Sequence, residues 1–490
     1  MCVIRQAFVA ATMLLAPVLA LAAAPMGFEE ARHLLNRTSF AADIDDINAF
    51  SRLTREQAVD RLLAWSGGRV ATPAPGWVNE FVSPRRMRAM SEEDRKALLR
   101  DQIQKGFELR NWWLTEMLTT SSPLNEKMVL FWHNHFVSSL QKVKSPALMG
   151  RQHLLLRKHA FGYFGDFLHD IARDPAMVVY LDSASNRKGQ PNENFAREVM
   201  ELFTLGEGNY KEQDIKEVAR AFTGWSIDLD SGEFTFRRAA HDDGVKTVLG
   251  RSGNLDGDAV LDILLAQPQT AEFIVSKLWR EFVSPGPEPG EVKRIARMFR
   301  DNRYSIRVAL RALLLSDAFY ASQNRAVLIK SPVELIVGTL RQFRFETGEV
   351  TPFVFVARQL GQDLFAPPNV KGWPGGEAWI NSATLLARKQ LLERLFRAQE
   401  MRPELMAMNR DPGGGVKGIG RPGSDGRERL FRAMMDIGFD SEKWLLQFQP
   451  GDPLLRKVLL ASDSAGASSD GAEGIDLLRQ LVLDPVYQLK

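Results

Sequence analysis

The sequence predicts an all-α protein, a multi-helical globular body with one small inserted β-hairpin, and three observations carry that reading. Side-chain acceptors followed by proline recur along the chain, apolar residues fall at three- and four-residue spacing between them, and only one stretch alternates with period two. The 490 residues are 45% hydrophobic, 25% charged and 9% aromatic, which excludes a disordered chain, a collagen-like chain and a multi-span membrane protein. Lys and Arg total 63 against 60 Asp and Glu, a net charge of +3 with no basic tail, so nucleic acid is a poor candidate partner.

At the start of the chain, Arg5, the apolar stretch Ala7 to Ala20 and then Leu21-Ala22-Ala23-Ala24-Pro25 read as a secretory signal peptide over residues 1–24. Ala20-x-Ala22 is the cleaner cleavage site, because a cut after Ala24 would leave Pro25 first. The alternative is an uncleaved anchor, which would be the protein's sole attachment to a membrane. Thr12, Pro17 and the many weakly apolar alanines argue against it. The expected location is therefore the periplasm, or the medium after secretion. The lone cysteine, Cys2, falls within the signal, so the processed chain has no disulfide framework, Cys nucleophile, Cys-ligated zinc, iron–sulfur cluster or thiolate haem.

Residues 25–400 read as one helical domain. Ser122-Pro123, Ser145-Pro146, Asp174-Pro175, Ser331-Pro332 and Thr351-Pro352 each offer an N-cap acceptor and then proline, whose missing N–H would be unpaired in the first turn anyway. Thr54 with Gln57 and Ser331 with Glu334 add capping boxes. Between the caps, Leu98, Leu99, Ile103, Phe107 and Trp112, or Val308, Leu310, Leu313 and Leu314, repeat at helical spacing. Glu233 to Arg238 alternates like a strand, and Lys246 to Leu249 is expected to pair with it across Asp243-Gly244, giving a hairpin near 233–250. Residues 401–427, Gly-rich from Asp411, read as a flexible segment. Residues 428–490 read as C-terminal helices completing the same body, with a second loop at Ser462 to Gly474.

The most informative segment is Asp182 to Gly206, DSASNRKGQPNENFAREVMELFTLG, a polar loop ending in Pro191 and feeding a helix. On a continuous α-helix Phe195, Ala196, Val199, Met200, Leu202 and Phe203 share one arc, while Glu193, Asn194, Arg197, Glu198 and Glu201 fill the other. Arg197 stands four residues from both Glu193 and Glu201 and could bridge them. The same polar arc could also be a solvated face with ion-pair rungs. The preceding Asn186, Arg187, Lys188, Gln190 and Asn192 place amides and cations beside a helix start, a setting that can hold an anion or a polar ligand on backbone N–H groups.

Three further places compete with plainer readings. His133 and His135 lie two apart on an expected helix and diverge by about 200°, so they do not share a metal there; one is expected buried and hydrogen-bonded, the other at a polar surface. His241 and Asp242 follow the strand and could act as base and orienter or join Glu198 or Glu201 at a metal, or Asp242 could simply satisfy the turn before Gly244. Trp373 and Trp379 around Pro374-Gly375-Gly376 could stack on a ring or dock a partner, or plug the core. No G-x-S-x-G elbow, Walker loop or H-E-x-x-H occurs, and no Rossmann glycine pattern stands between an expected strand and helix, so nucleotide-dependent and familiar hydrolase chemistries lack support.

Several long motifs occur in a fixed order: Phe131-Trp132-His133-Asn134-His135-Phe136, the run from Asp182 through PNENFAREVMELFTLG, ARAFTGW at Ala219 to Trp225, His241-Asp242 with Lys246-Thr247 and Leu249-Gly250, and Pro368 to Gly376 with Trp379-Ile380. In these the chain resembles the bacterial domain of unknown function 1800 family, over roughly Gly27 to Arg388 and again at Leu483 to Tyr487. The resemblance implies an exported, mostly helical protein with no assigned activity, often encoded beside an exported sulfatase-like protein, and it names no catalytic residue.

Two functions are weighed. The first is a periplasmic protein that binds a polar ligand or the co-encoded sulfatase-like partner through Asn186, Arg187, Asn192, Glu193, Asn194, Arg197, Lys246, Trp373 and Trp379. The alternative is a hydrolase using Glu198, Glu201, His241 and Asp242, with Mg²⁺, Mn²⁺ or Zn²⁺ as the fitting divalent ions, so that whether the protein is an enzyme stays open.

Overall fold

The computed structural model describes residues 24–65, 70–408, 437–449, 451–465 and 472–490. The expected signal peptide, except Ala24, and residues 409–427 of the expected flexible segment lie outside them. Residues 401–408 are the last turns of the helix Ser382–Met408. Among the described residues the body is helical, with two small antiparallel two-stranded sheets, and no helix is long and apolar enough to cross a membrane.

Local chemistry sets the helix starts. The side chains of Ser145, Asp174 and Ser331 accept from the backbone N–H groups of Leu148, Met177 and Glu334, each with proline at the first helical position. Thr54 and Gln57 exchange their capping bonds ahead of the helix Arg55–Trp65. Ser122 and Thr351 depart from expectation: the Ser122 side chain makes no capping bond to the helix Pro123–His135, and Thr351 is already helical, in Thr351–Gln359, its hydroxyl instead accepting from the amide of Asn111.

The strands are paired differently from the expected hairpin. β1 (Trp225–Ile227) pairs with β2 (Phe234–Phe236), and β3 (Lys246–Val248) pairs with β4 (Arg251–Gly253). The first loop is shaped by Asp228, whose carboxylate accepts from the N–H groups of Asp230 and Ser231. The second turns at Leu249 and Gly250, both at positive φ (47° and 80°), as a type I′ turn demands.

One hydrophobic core runs through the described body, from Leu34 and Phe50 through Trp132 and Trp279 to Trp444 and Tyr487. At its centre lies the helix Pro332–Gln342, buried on nearly every side, where Gly338 lets the Phe40 carbonyl approach within 2.4 Å of where a Cβ would stand. Both His133 and His135 are buried, contrary to the expected split, because the helix Pro123–His135 is covered on both faces. His133 packs against Trp113 and Phe365 with ring centroids 4.8 and 5.0 Å away, and burial holds its pKa down at about 3.

The same central helix carries a buried charge cluster. Glu334 is 5% exposed and accepts from Lys127 at 2.5 Å and from Lys490. Burial alone would raise its carboxyl, but the two ammoniums outweigh that and hold it below the ordinary range. Arg37, Arg388 and Lys330 also feel its charge. Replacing Glu334 by Gln leaves these cations without their central counter-charge, and the expected cost is about 3–5 kcal/mol. Urea denaturation of the full chain measures it; an unchanged midpoint would show that the cluster does not need the carboxylate.

Candidate functional site

The loop after Asp182 is built by its own amides. Asn186, 3% exposed, donates to the Ala219 carbonyl at 2.8 Å and accepts from the Asn192 N–H at 2.9 Å, while its own carbonyl takes the Gly224 N–H. Lys188 N–H reaches the Ala240 carbonyl, tying the loop to the segment after β2. Asn192 donates to Ser185 and accepts from the Asn194 N–H, so the first helical donor is already used. Between this loop and the Gly224–Ser226 segment lies an open cleft of ≈ 760 Å³, lined by Asn186, Arg187, Asn192 and Glu193 on one wall and Arg237 and Ala240 on the other. Arg187 is exposed, its guanidinium resting on Gln190 at 2.6 Å.

The helix that follows is not a continuous α-helix. Asn194–Glu198 is α, and Val199–Thr204 is a π turn, in which the Leu205 N–H bonds the Met200 carbonyl and the Thr204 hydroxyl bonds the Val199 carbonyl. π turns are uncommon and concentrate at functional sites. The widened turn removes the α spacing on which an Arg197–Glu201 pair depended. Arg197 instead binds Glu212 at 2.7 Å and Glu193 at 3.3 Å, and Glu201 accepts from the Tyr210 hydroxyl at 2.7 Å. Asn194 turns back to Asp182, itself paired with Lys142. Glu198 is half-buried; burial and then Glu201 raise its pKa, against Arg197 and Lys371.

His241, Asp242 and Lys246 belong to a separate set of contacts. The His241 ring is buried, its Nδ1 2.9 Å from the Thr223 carbonyl. Asp242 takes a bond from Arg220 at 2.8 Å, which holds its pKa down at about 2, and it also accepts the Gly244 N–H. Lys246 spends its ammonium on the Asp242 and Gly244 carbonyls. The charged neighbours of Glu198 are Glu201, Arg197 and Lys371, and none of them is among those of Asp242. The four expected catalytic residues thus fall into two groups, Glu198 with Glu201 and His241 with Asp242. Among the described residues no group of three or more His, Cys, Asp or Glu has an arrangement that could hold a metal ion.

Trp373 and Trp379 line a second cleft, ≈ 440 Å³, together with His135, Lys277, Glu334 and Lys490. Its turn is clamped by Asn134, whose side-chain oxygen accepts the Trp373 N–H at 2.6 Å. Gly372 has φ +85°, and a Cβ there would meet that oxygen at 2.2 Å, so only glycine fits. Lys277, which the sequence reading missed, donates to His135 Nδ1 at 3.0 Å and to the Leu202 carbonyl of the π turn at 3.2 Å. Burial, and then Arg280, push its pKa down to about 7. The visible signal was His135 itself, which needed a partner once placed inside.

These features define a class: a large mostly-α body on one core, with one cleft walled by a polar loop and a second lined by helices and a tryptophan turn. The chain belongs to the domain of unknown function 1800 family, whose sequence model, described as a protein of unknown function, matches residues 33–486. No curated protein and no solved structure matches it.

Because the Asn186 side chain ties the loop to the Ala219 carbonyl and to its own Asn192 N–H, Asn186→Ala is expected to cost about 1–3 kcal/mol and to loosen residues 186–192. Hydrogen exchange should then speed up at Asn192 and Gly224. Unchanged protection there would mean that the loop is held by other contacts.

Proposed function

We propose that the protein is an exported, periplasmic binding protein that engages a polar ligand or partner through the loop cleft, with the co-encoded sulfatase-like protein as the expected partner. The observation that carries this is the wall formed by Asn186, Arg187, Asn192 and Glu193 opposite Arg237, a roomy and open cleft with exposed cations. Its openness suits a protein segment or an extended polar chain better than a small molecule, which usually sits in a deeper hollow. In this reading Asn186 and Asn192 shape the wall, while Arg187, Arg237 and Glu193 make the contacts. Arg197 and Asn194 support the loop from behind through Glu212 and Asp182.

A second reading, hydrolysis, is favoured by one observation: Glu198 stands half-buried beside Glu201, where burial and that neighbouring charge raise its carboxyl, the direction a proton donor needs. It would rest on this pair, with Tyr210 and Lys371 around it, because His241 and Asp242 are engaged with Thr223 and Arg220.

The two readings separate in one experiment. Arg187→Glu with Arg237→Glu is expected to reduce capture of the purified sulfatase-like partner at least about 10-fold, since like charge at a rim slows association. Glu198→Gln should leave capture unchanged. Equal capture by the charge-reversed variant would remove the binding reading, and a hydrolytic activity lost in Glu198→Gln would favour the second.

A further inference from the structure

We propose that the Trp373 cleft is a binding site for a small organic anion, a phosphate, sulfate or carboxylate group carried on a ring or apolar body. Its first support is an unspent donor: Trp373 is 3% exposed and lines the cavity, and its indole N–H, sealed from solvent, has no hydrogen-bond partner, so a ligand acceptor meets it when the Trp373 turn yields. A buried donor left unpaired is costly, and a ligand acceptor would relieve it. Beside it, Trp379 and Phe131 offer flat apolar walls to the ligand's body.

Charge gives the second, independent support. Lys277, Arg280, Lys371 and Lys490 line the cleft, against Glu281 and Glu334. Glu334 is already shared between Lys127 and Lys490, and Lys371 is held by Glu207 outside the cleft. Arg388, which does not line the cleft but donates to the Lys330 carbonyl and to Gln488, is fully buried, and two of its guanidinium nitrogens have no partner. The carboxylates that act on Arg37, Lys127 and Lys490 are Glu334 and Glu281. Buried cations in such excess are stabilised when an anion enters.

Lys277 links this site to pH. Its ammonium faces His135 from the helix Pro123–His135, the Leu202 carbonyl from the π turn, and Arg280 from its own helix. His135 is kept neutral by burial and by Lys277, so it accepts at Nδ1. An anion would favour the protonated amine and raise its pKa. Binding is therefore tightest below pH 7, takes up a proton above it, and weakens by up to about tenfold per pH unit until the pKa of the complex is passed.

Titration calorimetry on the full chain with phenyl phosphate, phenyl sulfate and benzoate tests the site and tells the three head groups apart. The expected result is binding of at least one at pH 6.5, weakened about 10-fold or more in Trp373→Phe, which keeps the ring and loses the donor, and likewise in Lys277→Met. At pH 8, two buffers of different ionisation heat should show proton uptake by the wild type and none by Lys277→Met. Absence of binding of all three up to about 10 mM, or equal affinity in a Trp373→Phe protein with an unchanged melting point, overturns the proposal. Should Lys277→Met fail to fold, Trp373→Phe and wild-type proton uptake still decide it. The loop-cleft charge reversal is expected to leave this binding intact, which keeps the two sites distinguishable.

Discussion

Glu334 is the carboxylate around which the interior is arranged. It caps its own helix with Ser331, accepts from Lys127 of one helix and Lys490 of the last segment, and lines the Trp373 cleft. A charge inside protein is tolerated only when paired and hydrogen-bonded, so this one residue fixes where three distant stretches meet. The Ile329–Leu489 bridge and the bond from Lys330 N–H to the Gln488 carbonyl continue the same seam. Cleft and core are therefore not separate designs: the group that orders the centre also forms a wall of the hollow beside it.

The legible parts of the fold were those written in short range. Ser145, Asp174 and Ser331 announce their helices within four residues, and the structure spends each side chain as the capping rule requires. Strand pairing was less legible. Glu233 to Arg238 looked for a partner downstream, but Trp225–Ile227 lies on its other side, hidden in an apolar run that could equally end a helix. Leu249 at positive φ is an unusual residue for a hairpin turn, which is why the tight β3–β4 connection carried no recognisable turn signature.

The candidate sites divide in the same way. The Asn186 to Glu193 loop was recognisable by its density of amides and cations, and it does form a cleft wall. That its amides would be consumed by Ala219 and by the loop's own N–H groups depends on tertiary approach and left no trace in spacing. The π turn was hidden because only one turn remains before Gly206, too short for the apolar arc to drift visibly. Lys277 was missed for a simpler reason: on its amphipathic helix a single lysine is indistinguishable from a solvated one until His135 and Leu202 are brought to it.

The Asn134 clamp on Trp373 joins residues 239 apart in sequence, and Arg32 reaches carbonyls more than 420 residues away. Closing loops of that length pays its entropy before any contact rewards it. A newly made chain must therefore carry its tryptophan turn exposed to solvent until the helix bearing Asn134 has docked against it. Until then that apolar turn is the surface on which two copies would associate prematurely, while their unpaired interior cations would hold them apart.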